Sequence, residues 1–355
     1  MTEPDVPAGH LRLPAFVEPH AHLDKAFLAE VIENPTGDLM GAIVAMEQNR
    51  HRITLADTIV RAERAARLML SNGVTAIRTH ADTTAESGLT SVEALITVRD
   101  RLRDLIDIQV VSLCGWPSTG THGANQRALL REAIAMGVDV VGGCPHLEDD
   151  PHAANENFLA IAAEAGLPVD LHTDESLNPA MFALDDLSLR VVASGFPHRV
   201  TASHCVTLGL QSAATQQRVA EQVAAAGMSV IALPHTNLFL QGRSHQSSMP
   251  RALTAVAALR AAGVNVAAGA DNLQDPFNPV GRGDPLETAG LMVMAAHLLP
   301  VDALDSITVC ALRAMGLEDS GDSVVVRATT VREAIAFGPA NRIVRRRGQI
   351  VAGQS

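Results

Sequence analysis

The stretch "FVEPHAHLDKAF", Phe16–Phe27, sets two histidines one residue apart directly behind a short apolar run. In an extended backbone residues i and i+2 lie on one side, so the rings of His20 and His22 reach toward one point. An apolar core has little use for two convergent imidazoles, whereas a metal ion does. The stretch therefore asks which architecture brings further ligands from distant segments to the end of this first strand.

Working outward, short apolar runs recur at 15–19, 74–79, 108–113, 138–142, 168–171, 200–203, 229–233 and 265–268, eight in all. Alanine-rich helical patterns such as "GANQRALLREAIAMG" and "TQQRVAEQVAAAG" separate most of them and end in Gly, as a left-handed helix C-cap would. Strands apolar on both faces that alternate with helices predict a parallel sheet. Eight such units predict an α/β fold, a closed (β/α)8 TIM-type barrel with its site at the C-terminal strand ends. An open doubly wound sheet is the alternative, but no Gly-rich dinucleotide fingerprint follows the first strand. The barrel is expected over residues 14–315, closing with a helical region near 285–315. Residues 1–13 plus 316–355 are expected to form a small, reduced β-sandwich-like appendage, since "DSVVVRATTVREAIAFGPANRIVRRRGQIVAG" alternates short strands around a Gly turn.

Composition narrows the function classes. The 355 residues are 47 % apolar and 19 % charged, ample for a large core, and the formal charge of −12 opposes a nucleic-acid or anionic-membrane surface. Aromatics at 3 %, with no tyrosine and one tryptophan, give no stacking platform for single strands. The basic run Arg345-Arg346-Arg347 reads as a solvated strand edge. Cys114, Cys144, Cys205 and Cys310 are scattered without zinc-finger or redox spacing, which suits reduced, buried thiols. The start "MTEPDVPAGH" has no signal-peptide pattern, and no apolar run reaches the ~18–20 residues of a membrane span, so a cytoplasmic protein is expected.

With the barrel drawn, polar residues gather at strand ends. "DLHTDES" carries His172, Asp174 and Glu175; "TASHC" carries His204; "GADNLQDP" carries Asp271 and Asn272. Taken singly each is ordinary: a lone histidine is usually a satisfied polar residue, and an aspartate at a strand end is commonly a helix cap. Their coincidence on one face of a ring argues for a divalent ion held by neutral imidazoles and a carboxylate, with open positions for water. His80, His146 and His235 also follow strands and are further candidates. His10, His122, His152, His198 and His245 have no such placement.

These stretches, with "GVTAIRTHADT", "VDVVGGCPHLE" and "LPHTNLFLQGR", resemble the amidohydrolase superfamily, in its cytosine deaminase-like branch, in order from about residue 14 to 290. The resemblance implies a metal-dependent hydrolase of C–N bonds on a barrel, using one divalent ion, zinc or iron(II), and assembling as a homo-oligomer. Carried over, it makes His20, His22, His172 and Asp271 the metal ligands. Glu175 becomes the proton shuttle, His204 the group that polarises an oxygen, and Asp271 the acceptor of the water proton. No lysine follows the fourth strand as in two-metal branches, and Lys25 lies in the first loop instead, which favours a mononuclear site.

Departures from the pattern bear on the substrate, a small nitrogen heterocycle. The branch carries a glutamine after the third strand that reads the pyrimidine edge, where this chain has Cys114, Gly115 and Trp116. It has Asn272 for a second aspartate and Phe277 for a tryptophan. Losing the glutamine argues against cytosine itself. Trp116 either walls the pocket or packs beneath its loop. The expected reaction is hydrolytic deamination by metal-activated water. The alternatives are cleavage of a cyclic amide or removal of an alkylamine from a triazine-like ring and, from another class, a non-catalytic metal- or ligand-binding barrel.

Overall fold

Each of the eight apolar runs becomes a parallel strand in the computed structural model, which describes residues 6–353. In chain order the strands are β1 (Leu11–Pro14), β2 (Phe16–Ala21), β3 (Val74–Thr83), β4 (Asp107–Cys114), β5 (Val140–Gly143) and β6 (Val169–Thr173). They continue with β7 (Val200–His204), β8 (Ser229–Ala232), β9 (Asn265–Ala268), β10 (Ser323–Val326), β11 (Ile343–Arg346) and β12 (Gln349–Ala352). Strands β2 to β9 pair in parallel, each with the next. The ring closes just beyond β9. The Asp271 N–H donates to the His20 carbonyl and the His22 N–H donates to the Asp271 carbonyl, both at 3.0 Å. The fold is a (β/α)8 barrel.

Local chemistry sets the connections. Thr54 caps the helix Leu55–Ser71 by accepting from the Asp57 N–H, and Asp150 caps Pro151–Ala165 by accepting from Ala153. Gly137, at φ 95°, ends the helix Ala124–Met136 in the left-handed region that a side chain would strain. The helical region near 285–315 is three helices, Pro285–Ala295, Pro300–Ser306 and Val309–Met315. Pro300 cannot donate within a helix and starts a new one.

The lower half of the barrel interior is apolar. Val17, Ala76, Ile231 and Ala267 pack on Ala311, Ala314 and Met315 of the helix Val309–Met315, which plugs the N-terminal end. Above this lies a buried polar layer in which Arg78 donates to Gln109, Asp170 and Thr201 and to the Ala314 carbonyl. The site layer lies two residues further along the strands.

The appendage from the chain ends is a four-stranded antiparallel sheet ordered β1-β10-β11-β12. So the short leader does supply a strand: Leu11 faces Val326 and Leu13 faces Val324. Arg342 pins the sheet to the barrel through both oxygens of Asp284, at 2.8 and 2.7 Å. Of the arginine run, Arg347 is exposed as expected of a solvated edge, but Arg346 is buried and paired with Asp107 at 2.6 Å.

Candidate active site

The closure that completes the barrel also builds its site. Asp271 bonds His20 and His22 through its backbone, and its Oδ1 then stands 3.6 Å from His20 Nε2 and 3.3 Å from His22 Nε2. His172, at the end of β6, brings its Nε2 to 3.1 Å from that of His22. His204, at the end of β7, places Nε2 3.9 Å from Asp271 Oδ2. All five residues are buried. Asp174, His204, Cys205 and Asp271 take positive φ, between 49° and 69°, so the strand ends turn sharply where the polar side chains converge.

Hydrogen bonds behind the rings set which nitrogen faces the centre. Ser203 gives its proton to Asp170 Oδ1 at 2.8 Å, so its Oγ accepts from His20 Nδ1 at 2.9 Å, leaving the His20 Nε2 lone pair directed inward. His204 Nδ1 donates to Asn237 Oδ1 at 3.0 Å with the same consequence. The inward atoms then have no partner: His20 Nε2, His204 Nε2 and both oxygens of Asp271 are buried without a hydrogen bond. Buried polar atoms are almost always paired, so a concentration of unpaired lone pairs fits a cation. Burial, then the neighbouring rings, holds His20 and His172 well below the ordinary histidine range and therefore neutral, the form that ligates. Burial alone would raise Asp271, but His22 and His204 outweigh it and keep the carboxyl below its usual range.

His80, on β3, belongs to this cluster. It is fully buried, its ring centroid lies 4.0 Å from that of His20, and neither of its nitrogens has a partner. Two triads have ligand atoms close enough to share one ion: His20, His80 and His172, and His20, His204 and Asp271. His22 joins them through its 3.1 and 3.3 Å contacts. His146 is also drawn in, donating from Nδ1 to the His172 carbonyl at 2.9 Å with Nε2 4.0 Å from Glu175. His235 is set apart, bonded to Thr288.

Above the cluster opens a cavity of about 190 Å³. Glu175, His204 and Asp271 line it, as do Cys114, Gly115, Trp116, Asn272 and Phe277. Burial pushes the Glu175 carboxyl well above the ordinary carboxylate range and the negative Asp271 adds to this, which favours its proton-carrying form. Trp116 is 38 % exposed and stands in the wall rather than beneath its loop. Asn272 commits its amide to Thr236 and Asp275, at 3.2 and 2.8 Å.

Lys25, Asp82 and Gln126 also line the cavity, and sequence reasoning gave none of them a role there. Lys25 bonds Asp82 at 2.6 Å and His22 Nδ1 at 3.1 Å. Burial alone would lower it, but Asp24 and Asp82 raise it, so it is an ammonium. Gln126, on the helix Ala124–Met136, reaches the cavity beside Gly115.

The amidohydrolase family model matches residues 32–325. The chain belongs to the amidohydrolase family. It is a hydrolase acting on carbon–nitrogen bonds. The chain is 32 % identical to a pterin deaminase of Rhizobium rhizogenes (strain K84), over 95 % of this chain and 80 % of that protein. It superposes on 5-methylcytosine deaminase from Klebsiella pneumoniae with a TM-score of 0.90 at 31 % identity, covering 100 % of this chain and 90 % of that one. N-isopropylammelide isopropylaminohydrolase from Burkholderia multivorans gives a TM-score of 0.81 at 29 % identity, over 99 % and 90 %. Among the described residues no helix is long and apolar enough to cross a membrane.

Proposed function

We propose that this amidohydrolase removes an exocyclic amino group from a small nitrogen heterocycle by hydrolysis. The observation that carries this reading is the buried Glu175 carboxyl beside the unpartnered His204 Nε2 and Asp271 oxygens, all three residues lining one cavity. A binding module has no need of a proton donor there. Similarity to a pterin deaminase and a 5-methylcytosine deaminase supports the same class of substrate.

His20, His22, His172 and Asp271 are the proposed ligands of one divalent ion, zinc or iron(II). Such an ion supplies Lewis acidity that brings water's pKa toward ~7. Ligation by His22 through Nε2 requires the Lys25 ammonium to release Nδ1, and Asp82 and Asp24 are the carboxylates that would keep it. His204, with its Nε2 lone pair turned inward, accepts a hydrogen bond from the attacking water and orients it. Asp271, held below the usual carboxylate range and therefore ionised, is the group free to take the water proton. Glu175 delivers its proton to the ring nitrogen and takes back the hydroxyl proton as the tetrahedral centre collapses, while Asp271 passes the water proton to the departing amine, which leaves as ammonia. The cavity walls at Trp116 and Phe277 present flat faces to a ring.

The barrel, residues 14–315, is proposed to carry all of this chemistry, with 1–13 and 316–355 bracing its outside. A homo-oligomer in the cytoplasm is the proposed setting, and light scattering on the purified protein reads the subunit count. Similarity to the N-isopropylammelide enzyme favours a second reading, release of an alkylamine instead of ammonia. The test is metal analysis of protein purified without chelators, followed by product analysis over pyrimidines, pterins and N-alkylated triazines. We expect close to one metal per chain and ammonia as product. A reproducible two metals would sink the ligand assignment, and alkylamine release alone would favour the second reading.

A further inference from the structure

One cavity wall carries a polar group that the chemistry above leaves unused. Gln126 is 5 % exposed, lines the cavity, and has its Oε1 buried with no hydrogen-bond partner. Its place is built by its neighbours. A Cβ on residue 115 would stand 2.5 Å from Gln126 Nε2 and 3.1 Å from the Thr84 methyl, so only a glycine there leaves room for the amide. The Cys114 thiol, facing the Gly115 carbonyl at 3.5 Å and the Gln126 carbonyl at 3.7 Å, ties the end of β4 to the first turn of the helix Ala124–Met136. The other amide on the cavity, Asn272, is already committed to Thr236 and Asp275.

A buried amide oxygen without a partner is a cost that folding avoids unless a ligand relieves it. A carboxamide offers one acceptor and one donor side by side in a plane. Its complement is a ring edge with the opposite order, –NH–C(=O)–, the edge of a lactam. We infer that Gln126 is a specificity-determining residue that reads a lactam edge of the substrate, taking the ring N–H on Oε1 and donating from Nε2 to the ring carbonyl. The preferred substrates are then amino-heterocycles that also carry a ring lactam, in preference to fully aromatic amines or alkylated triazines. Gly115 and Gln126 act as a pair, one clearing the space that the other fills. The inference rests on the deaminase reading for its substrate class and is tested separately from it.

The probes are two matched pairs, cytosine with 1-methylcytosine and pterin with 3-methylpterin, in which a methyl group caps the lactam N–H. Turnover is followed as ammonia release, and binding is titrated in Glu175→Gln protein loaded with metal. Wild type is expected to favour the unmethylated member of at least one pair by roughly 10- to 100-fold. Gln126→Leu should erase most of that ratio while metal content and thermal midpoint stay put, which a merely structural role would not produce. Gln126→Glu, which keeps the shape and the acceptor but loses the donor, should fall between. Gly115→Ala should mimic Gln126→Leu by displacing the amide, and it serves if the leucine variant does not fold. An unchanged ratio in these variants overturns the inference and leaves the deaminase reading standing. Gln126-dependent preference in binding without turnover by wild type upholds it and removes the deaminase. No preference by wild type in either pair overturns it outright.

Discussion

Two polar layers inside the barrel lie two residues apart on the same strands and are treated in opposite ways. In the lower layer Arg78, Asp170 and Thr201 are tied to one another, and Arg78 also reaches Gln109 and the Ala314 carbonyl. In the upper layer His80, His172 and Ser203 follow on the same three strands, joined by His20. There His80 has no partner on either nitrogen, and His20 Nε2 and both Asp271 oxygens have none. Burial is the same in both layers. The contrast teaches that buried charge which is fully paired belongs to the scaffold, whereas buried lone pairs left open and convergent are reserved for a ligand.

The comparison can be broken from either side. At the upper layer, Glu175→Gln should lower kcat by ~10²–10⁴-fold with metal content and unfolding midpoint unchanged; steady-state kinetics with metal analysis reads this, and preserved turnover removes the proposed proton donor. At the lower layer, Arg78→Met should cost about 3–5 kcal/mol in denaturant unfolding because it strands Asp170, while adding Asp170→Leu should recover most of it. A small loss in the single variant would mean that the lower pairing is not what stabilises the barrel.

Ser203 joins the layers, accepting from His20 and donating to Asp170. Ser203→Ala should weaken metal binding by about 10- to 100-fold in chelator competition, with metal-free stability less affected. The smallest effect is expected at His80. His80→Leu removes two unpartnered nitrogens, so the metal-free protein should change in stability by no more than about 1 kcal/mol in either direction. A loss on the scale of Arg78→Met would place His80 with the scaffold and blur the distinction.

Much of this was legible in the chain. The eight runs mark the strands to within a few residues because a strand buried on both faces must be apolar, and the helices announce their ends with Gly. His20, His22, His172, His204 and Asp271 could be picked out because each follows such a run. His80 and His146 satisfied the same rule, but only their neighbours in space separate them from His235, which bonds Thr288 elsewhere. Lys25 and Asp82 meet at 2.6 Å across 57 positions, and nothing local in either segment announces the pair. Gln126 was illegible for another reason. It sits in an ordinary amphipathic helix, and its meaning comes from an absent side chain at Gly115 on a different element.

The sequence by itself determined the ring of strands, the face on which chemistry sits and the residue types offered there, since hydrophobic periodicity and strand-end position are local properties. Only the tertiary structure decided which nitrogen of each ring points inward, which charges are already neutralised and which amide is left free. Those depend on partners brought together by barrel closure, and a hydrogen bond or a shifted pKa is a property of the pair and its burial rather than of either residue alone.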